Sequence, residues 1–201
     1  LDAGWLRDLW YLAVPGSEVG RGRMTARTLL GQRLLFGRTT EGEVFCFKDV
    51  CPHRGIPLSF GRFDGREVEC CYHGWRFGAD GRCTAIPALV DGQAFEPGRI
   101  KAKTLPAHEV QGNIWIFAGS DPAAAPPIPV VPDVGDRSAD LSETMPFDSG
   151  MDHAVVGLMD PAHGPFVHRS WWWRSAESIH EKAKHFVPSD LGFTMARHRP
   201  S

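Results

Sequence analysis

Residues 25–120 alternate short apolar runs with turn-forming residues, a pattern that predicts strands rather than helices. Thr25 to Asp49, TARTLLGQRLLFGRTTEGEVFCFKD, places β-prone runs either side of Gly31-Gln32 and of Glu41-Gly42. Trp75 to Ile86, WRFGADGRCTAI, carries Asp80-Gly81, a hairpin signal. Gly112 to Gly119, GNIWIFAG, closes the block as a buried strand. Asp121 to Asp136 then brings prolines at 122, 126, 127, 129 and 132. Such a stretch builds neither a helix nor a central strand, so it is an extended connector with a domain boundary in it.

Past the connector the pattern changes. Ser142 to Asp148, SETMPFD, predicts a strand, and residues 150–160, GMDHAVVGLMD, a short helix. IHEKAKHFV and GFTMARHR predict two strands with a turn at Pro188–Gly192. No internal repeat is present. The expected fold class is α+β: an all-β domain over 1–120, a connector over 121–136, and the first part of a second domain over 137–201.

Composition narrows the function classes. With 201 residues, 42% of them hydrophobic, the chain can bury one sizeable core or two modest ones. The 22 basic and 24 acidic residues nearly cancel, so no nucleic-acid stripe and no disordered acidic tail is expected. No apolar run approaches the roughly 20 residues of a membrane span. The sequence starts at Leu1 without a charged-then-apolar leader, so no signal peptide is expected. Five cysteines, an odd number clustered in the first half and interleaved with histidines, favour a metal over a disulfide framework, with a reducing cytoplasm as the default.

Cys51-Pro-His53 is C-x-H; sixteen residues intervene before Cys70-Cys71-Tyr72-His73 gives C-x-x-H. Two thiolates and two imidazoles on two loops suit a tetrahedral zinc or a 2Fe-2S cluster. Because each loop supplies one Cys and one His, the mixing favours a cluster with one iron on both cysteines and the other on both histidines. Gly55 and Gly74 permit tight loops with backbone N–H groups directed at sulfur. Either Cys70 or Cys71 satisfies a short Cys/His spacing. Cys46 and Cys83 lie outside the loops and read as small buried hydrophobes.

CPHRG…LSFG followed by CCYHGWRF resembles the Rieske domain of Rieske non-haem iron oxygenases. WYLAVPGSEV, ARTLLGQRLLFGR and DGRCTAIP flank it as in the monooxygenase and demethylase branch. The resemblance implies a Rieske-type 2Fe-2S cluster held by Cys51, His53, Cys70 and His73, with Cys71 a bystander. It also implies an all-β Rieske domain followed by the start of a helix-grip (START-like) catalytic domain. Arg54 and Trp75 are expected to brace the cluster loops, Arg54 at the surface where an electron donor docks.

GLMDPAHGPFVH holds Asp160, His163 and His168. On one continuous helix, histidines five apart point roughly 140° away from each other. Gly164-Pro165 is expected to break the helix and let the second imidazole swing back. Two such histidines supply part of a 2-His-1-carboxylate site for Fe(II). Read alone, Asp160-Pro161 is equally a helix N-cap. The resemblance makes His163 and His168 ligands of a mononuclear Fe(II), and Asp160 the bridge from a neighbouring subunit's cluster histidine. The family's third ligand, a carboxylate, comes later in the chain; Asp152, Glu177, Glu181 and Asp190 do not match its place. Gly157 and Val156 stand where many members carry Asn. Trp171–Trp173 suit a pocket, a subunit contact or core packing alike. His108, His153, His180, His185 and His198 show no metal spacing.

The expected activity is monooxygenation: hydroxylation or demethylation of an aromatic or polycyclic substrate with O2. The resemblance implies a ferredoxin and/or flavin reductase as electron donor and a head-to-tail homotrimer as the assembly. Ring cis-dihydroxylation, and electron carriage without oxygen chemistry, are the alternatives.

Overall fold

The computed structural model describes residues 5–133, 135, 144–160, 163–168, 184–190 and 192–197. The chain divides into two compact units, Leu1–Thr144 and Met145–Ser201.

The first unit holds β1 (Trp10–Pro15), β2 (Arg23–Leu29), β3 (Gln32–Arg38), β4 (Val44–Lys48), β5 (Arg62–Phe63) and β6 (Glu67–Glu69). It continues with β7 (Arg76–Gly78), β8 (Cys83–Ala85), β9 (Thr104–Leu105), β10 (Ala107–Val110) and β11 (Asn113–Phe117). They form three antiparallel sheets, ordered β1-β11-β10, β2-β3-β4-β9 and β5-β6-β7-β8.

The β2-β3-β4-β9 sheet is the middle layer. Successive side chains of a strand face opposite ways, so LLF in β3 and FCF in β4 divide between two cores. Leu34, Phe36 and Cys46 pack with Val14, Val19, Ile114 and Ile116 on the β1-β11 side. Leu35, Phe45 and Phe47 pack with Leu58, Val68, Phe77 and Cys83 on the β6-β7-β8 side. Burial on both faces explains why these strands are continuously apolar. Cys46 and Cys83 are indeed small buried core residues.

The turns follow the expected pattern with one shift. The β2–β3 turn is Leu30-Gly31, both at positive φ (54° and 67°), and Gln32 already begins β3. Gly81, at φ 80°, turns β7 into β8. Gly37 sits under the ring of Phe45, its partner across the β3–β4 pair, and a Cβ there would overlap that ring.

The proline-rich segment is not a free tether. The Trp10 indole N–H donates to the Pro126 carbonyl at 2.6 Å. The Gln111 amide donates to the carbonyls of Val131 (3.0 Å) and Gly135 (3.1 Å), and accepts from the Val131 N–H at 2.8 Å. Thr144 donates its hydroxyl to Glu18 at 2.6 Å.

In the second unit, α1 (Met151–Met159) and α2 (Gly164–Val167) precede a hairpin of β12 (Phe186–Ser189) and β13 (Gly192–Met195). Of the strand expected over Ser142–Asp148, the described residues 144–148 are in no strand. Pro146 offers no N–H to a ladder, which weakens that stretch as a strand. Among the described residues no helix is long and apolar enough to cross a membrane. Trp171–Trp173, Glu177, His180, Glu181 and His198 lie outside the described residues.

Substituting Gln111 by Ala removes the acceptor of the Val131 N–H. One such bond contributes about 1 kcal/mol. Hydrogen exchange at Val131 should accelerate several-fold, while exchange in β3 and β4 stays unchanged.

Candidate metal centres

Two loops project from the β5-β6-β7-β8 side of the sandwich and close in the same way. The Cys51 N–H donates to the Ile56 carbonyl at 2.8 Å, and the Gly55 N–H to the Cys51 carbonyl at 2.9 Å. In the second loop the Cys70 N–H donates to the Trp75 carbonyl at 2.8 Å, and the Gly74 N–H to the Cys70 carbonyl at 3.0 Å. Gly55 and Gly74 stand at φ 76° and 69°, the left-handed conformation that side-chain-bearing residues rarely adopt. The glycine amides close the loops, and at Cys51 the expected N–H groups directed at sulfur come from their neighbours. At Cys51 it is the amides of His53 and Arg54 that face the thiol.

The donor side chains are sorted two and two. Cys51 and Cys70 are 2% and 3% exposed, share one buried cluster, and their thiols interact with each other. Burial pushes the Cys51 thiol up to about 11, with the Cys70 thiol adding to the rise. The imidazoles of His53 and His73 pair nearer the surface, ring centroids 4.6 Å apart. Lost hydration, then the charges of His73 and Arg54, hold the His53 imidazole below its ordinary pKa. Cys71 is exposed and Cys70 buried, so the geometry selects Cys70 as the partner of Cys51.

A zinc site needs four donors around one ion. Among the described residues no three or more His, Cys, Asp and Glu side chains gather as a site for a single metal ion. Thiols paired below and imidazoles paired above fit a two-iron cluster, each iron taking one pair.

Asp49 holds the first loop down, a role the sequence reading missed. Its side chain is wholly buried. It accepts from the Ser59 N–H (2.7 Å), the Ser59 hydroxyl (2.6 Å) and Arg33 Nε (2.6 Å). The loop is thus tied at both ends: Asp49 precedes Cys51, and Ser59 sits in the turn that ends it. The available signal was an acidic residue ending the apolar run FCFKD, where only a fully bonded carboxylate survives burial. Gly61, next along, has no room for a Cβ, which would overlap the Glu69 carbonyl beside Cys70.

In the second unit, α1 ends at Asp160, whose extended backbone (φ −79°, ψ 106°) suits a residue before proline. Asp160 is therefore a C-cap, not an N-cap. α1 thus stops at Met159, upstream of where Gly164-Pro165 was expected to break it. Those two residues instead open α2, where proline's missing N–H costs nothing. The outcome for the imidazoles is nonetheless the expected one: His163 and His168 meet at 5.3 Å between ring centroids. His163 Nδ1–H donates to the Asp160 carbonyl at 2.6 Å, so in the neutral ring Nε2 is the nitrogen with the free lone pair. The Asp160 carboxylate lies 3.8 Å from the same Nδ1.

Residues 9–106 match the model of the Rieske [2Fe-2S] domain. The chain carries a Rieske domain. The oxygenase component of dicamba O-demethylase from Stenotrophomonas maltophilia is 33% identical over 170 residues, 83% of this chain and 48% of that protein. The crystal structure of apo dicamba monooxygenase superimposes with a TM-score of 0.55 at 34% identity, covering 64% of this chain and 39% of that one. The reduced complex between oxygenase and ferredoxin of carbazole 1,9a-dioxygenase gives a TM-score of 0.51 at 32% identity, covering 57% and 30%. The chain is thus related to the oxygenase components of both monooxygenases and dioxygenases. It spans between 25% and 48% of the length of the curated relatives it matches.

Alkylation of the native protein with iodoacetamide should label Cys71 first, with Cys46, Cys51, Cys70 and Cys83 following only on unfolding; peptide mass mapping reads the order. Replacing Asp49 by Ala strips three hydrogen bonds to a charged group and should cost about 2–3 kcal/mol in denaturant unfolding, with iron lost sooner than from the parent.

Proposed function

We propose that this Rieske-domain protein works as the oxygenase component of a multi-part system. It takes electrons one at a time from a ferredoxin or flavin reductase and uses O2 to hydroxylate or demethylate an aromatic or polycyclic substrate. The sorting of Cys51 with Cys70 and His53 with His73 carries the reading, and the convergence of His163 and His168 extends it. The relatives' names support it: one is an O-demethylase oxygenase component, and a solved neighbour was captured with ferredoxin.

When bound, a 2Fe-2S cluster supplies one-electron transfer, and a mononuclear Fe(II) supplies oxygen activation. Cys51 and Cys70 would hold one cluster iron as thiolates, and Cys51 must shed its proton against the pull of burial. His53 and His73 would hold the other as neutral imidazoles, and neutral nitrogen in place of thiolate charge would raise the potential. In the second unit His163 offers Nε2 to the metal while its Nδ1–H stays on the Asp160 carbonyl, a bond that fixes tautomer and ring plane. His168 supplies the second nitrogen. Asp160 is the bridge to a cluster histidine of the neighbouring subunit in a head-to-tail trimer. The helix-grip frame continues the fold beyond α1, and a later carboxylate completes the iron site.

Electron carriage without oxygen chemistry is the competing reading, and metal counting separates the two. The full-length protein should hold about three irons per chain and consume O2 only with an organic substrate; two irons and no such uptake would favour the carrier. Replacing Asp160 by Ala should leave all irons in place and reduce substrate-dependent O2 uptake by orders of magnitude. Undiminished uptake would remove Asp160 from the electron path.

A further inference from the structure

We infer that Trp75 is the positioning residue of the His53 imidazole and the rivet between the two cluster loops. The inference rests on the reading of His53 as an iron ligand and adds what holds that ligand in place.

The indole of Trp75 lies flat on the His53 ring, with centroids 4.3 Å apart and planes 4° from parallel. The two residues come from different loops. Trp75 is itself anchored twice: its side chain packs against the core formed by Leu58, Val68 and Phe77, and its carbonyl accepts the Cys70 N–H at 2.8 Å. One residue thus fixes the backbone of a cysteine in its own loop and the ring plane of a histidine in the other.

An imidazole bound through one nitrogen keeps a soft rotation about the metal–nitrogen bond. Metal-bound histidines usually stop it with a hydrogen bond from the other ring nitrogen, as His163 does with the Asp160 carbonyl. Among the described residues no hydrogen bond reaches a ring nitrogen of His53. The flat contact with Trp75 takes over that task. It also shields one face of the ring from water, which accords with His53 being half-buried while His73 is exposed. His73 has a looser neighbour: Tyr72, 61% exposed, tilts at 41° over it with centroids 4.1 Å apart. The two imidazoles are therefore held unequally, His53 by a half-buried ring packed against the core and His73 by an exposed one.

Pulsed EPR of the reduced holoprotein tests this through the nitrogen couplings of the two histidines. In Trp75→Leu one of the two couplings should shift and the reduction potential should move, with iron content unchanged. Trp75→Phe, which keeps a ring face, should restore both. Should Trp75→Leu fail to fold, Trp75→Met fills the space without a ring and carries the same comparison. Two couplings and a potential identical to the parent's in the ringless variant would overturn the inference. A parent protein showing no pair of nitrogen couplings would instead overturn the ligand assignment itself.

Discussion

The amides of Cys51 and Cys70 each reach five residues forward to a carbonyl, and the glycine at the fourth position reaches back to the cysteine carbonyl. Everything at the cluster site follows from this repeated closure. It fixes both cysteines at the base of their loops, inward and together. The histidines occupy different places in otherwise alike loops, two residues after the cysteine in one and three in the other. That difference brings them to the same edge, where their rings meet. Two glycines at positive φ are the condition for it, since any Cβ in that conformation is strained.

Behind the loops stands a scaffold with little slack. The middle sheet is packed on both sides, so its strands belong to two cores at once. Asp49 sits where this sheet gives way to the first loop, a buried carboxylate that is bonded on both oxygens. The site thus grows from the stiffest part of the chain. The second site has a local origin: the pre-proline residue Asp160 ends a helix and its carbonyl captures His163.

Much of this was legible in the sequence because the signals were local. Spacing singled out the two Cys/His loops and the two histidines at 163 and 168, and Asp80-Gly81 marked its hairpin. The choice between Cys70 and Cys71 was not local; it depends on which side chain the β6–β7 turn sends inward. Nor was the helix break, since Asp160-Pro161 and Gly164-Pro165 are both plausible stops and only one is used as such. Asp49 escaped notice because a carboxylate beside a turn reads as solvated until its partners Ser59 and Arg33, ten and sixteen residues away, are known to converge on it. The proline-rich segment read as a spacer, and nothing in its composition announces the three hydrogen bonds that Gln111 makes to it.

The doubly packed middle sheet also has a bearing on strand alignment. In an ordinary half-exposed sheet, sliding a strand by one residue throws its oily side into water and is heavily penalised. LLF and FCF carry grease on both sides, so the same slide would merely exchange one interior for the other. Alignment must then be enforced by shape: the two-residue Leu30-Gly31 reversal leaves no slack, and the Phe45 ring fits only over a residue that lacks a side chain, Gly37.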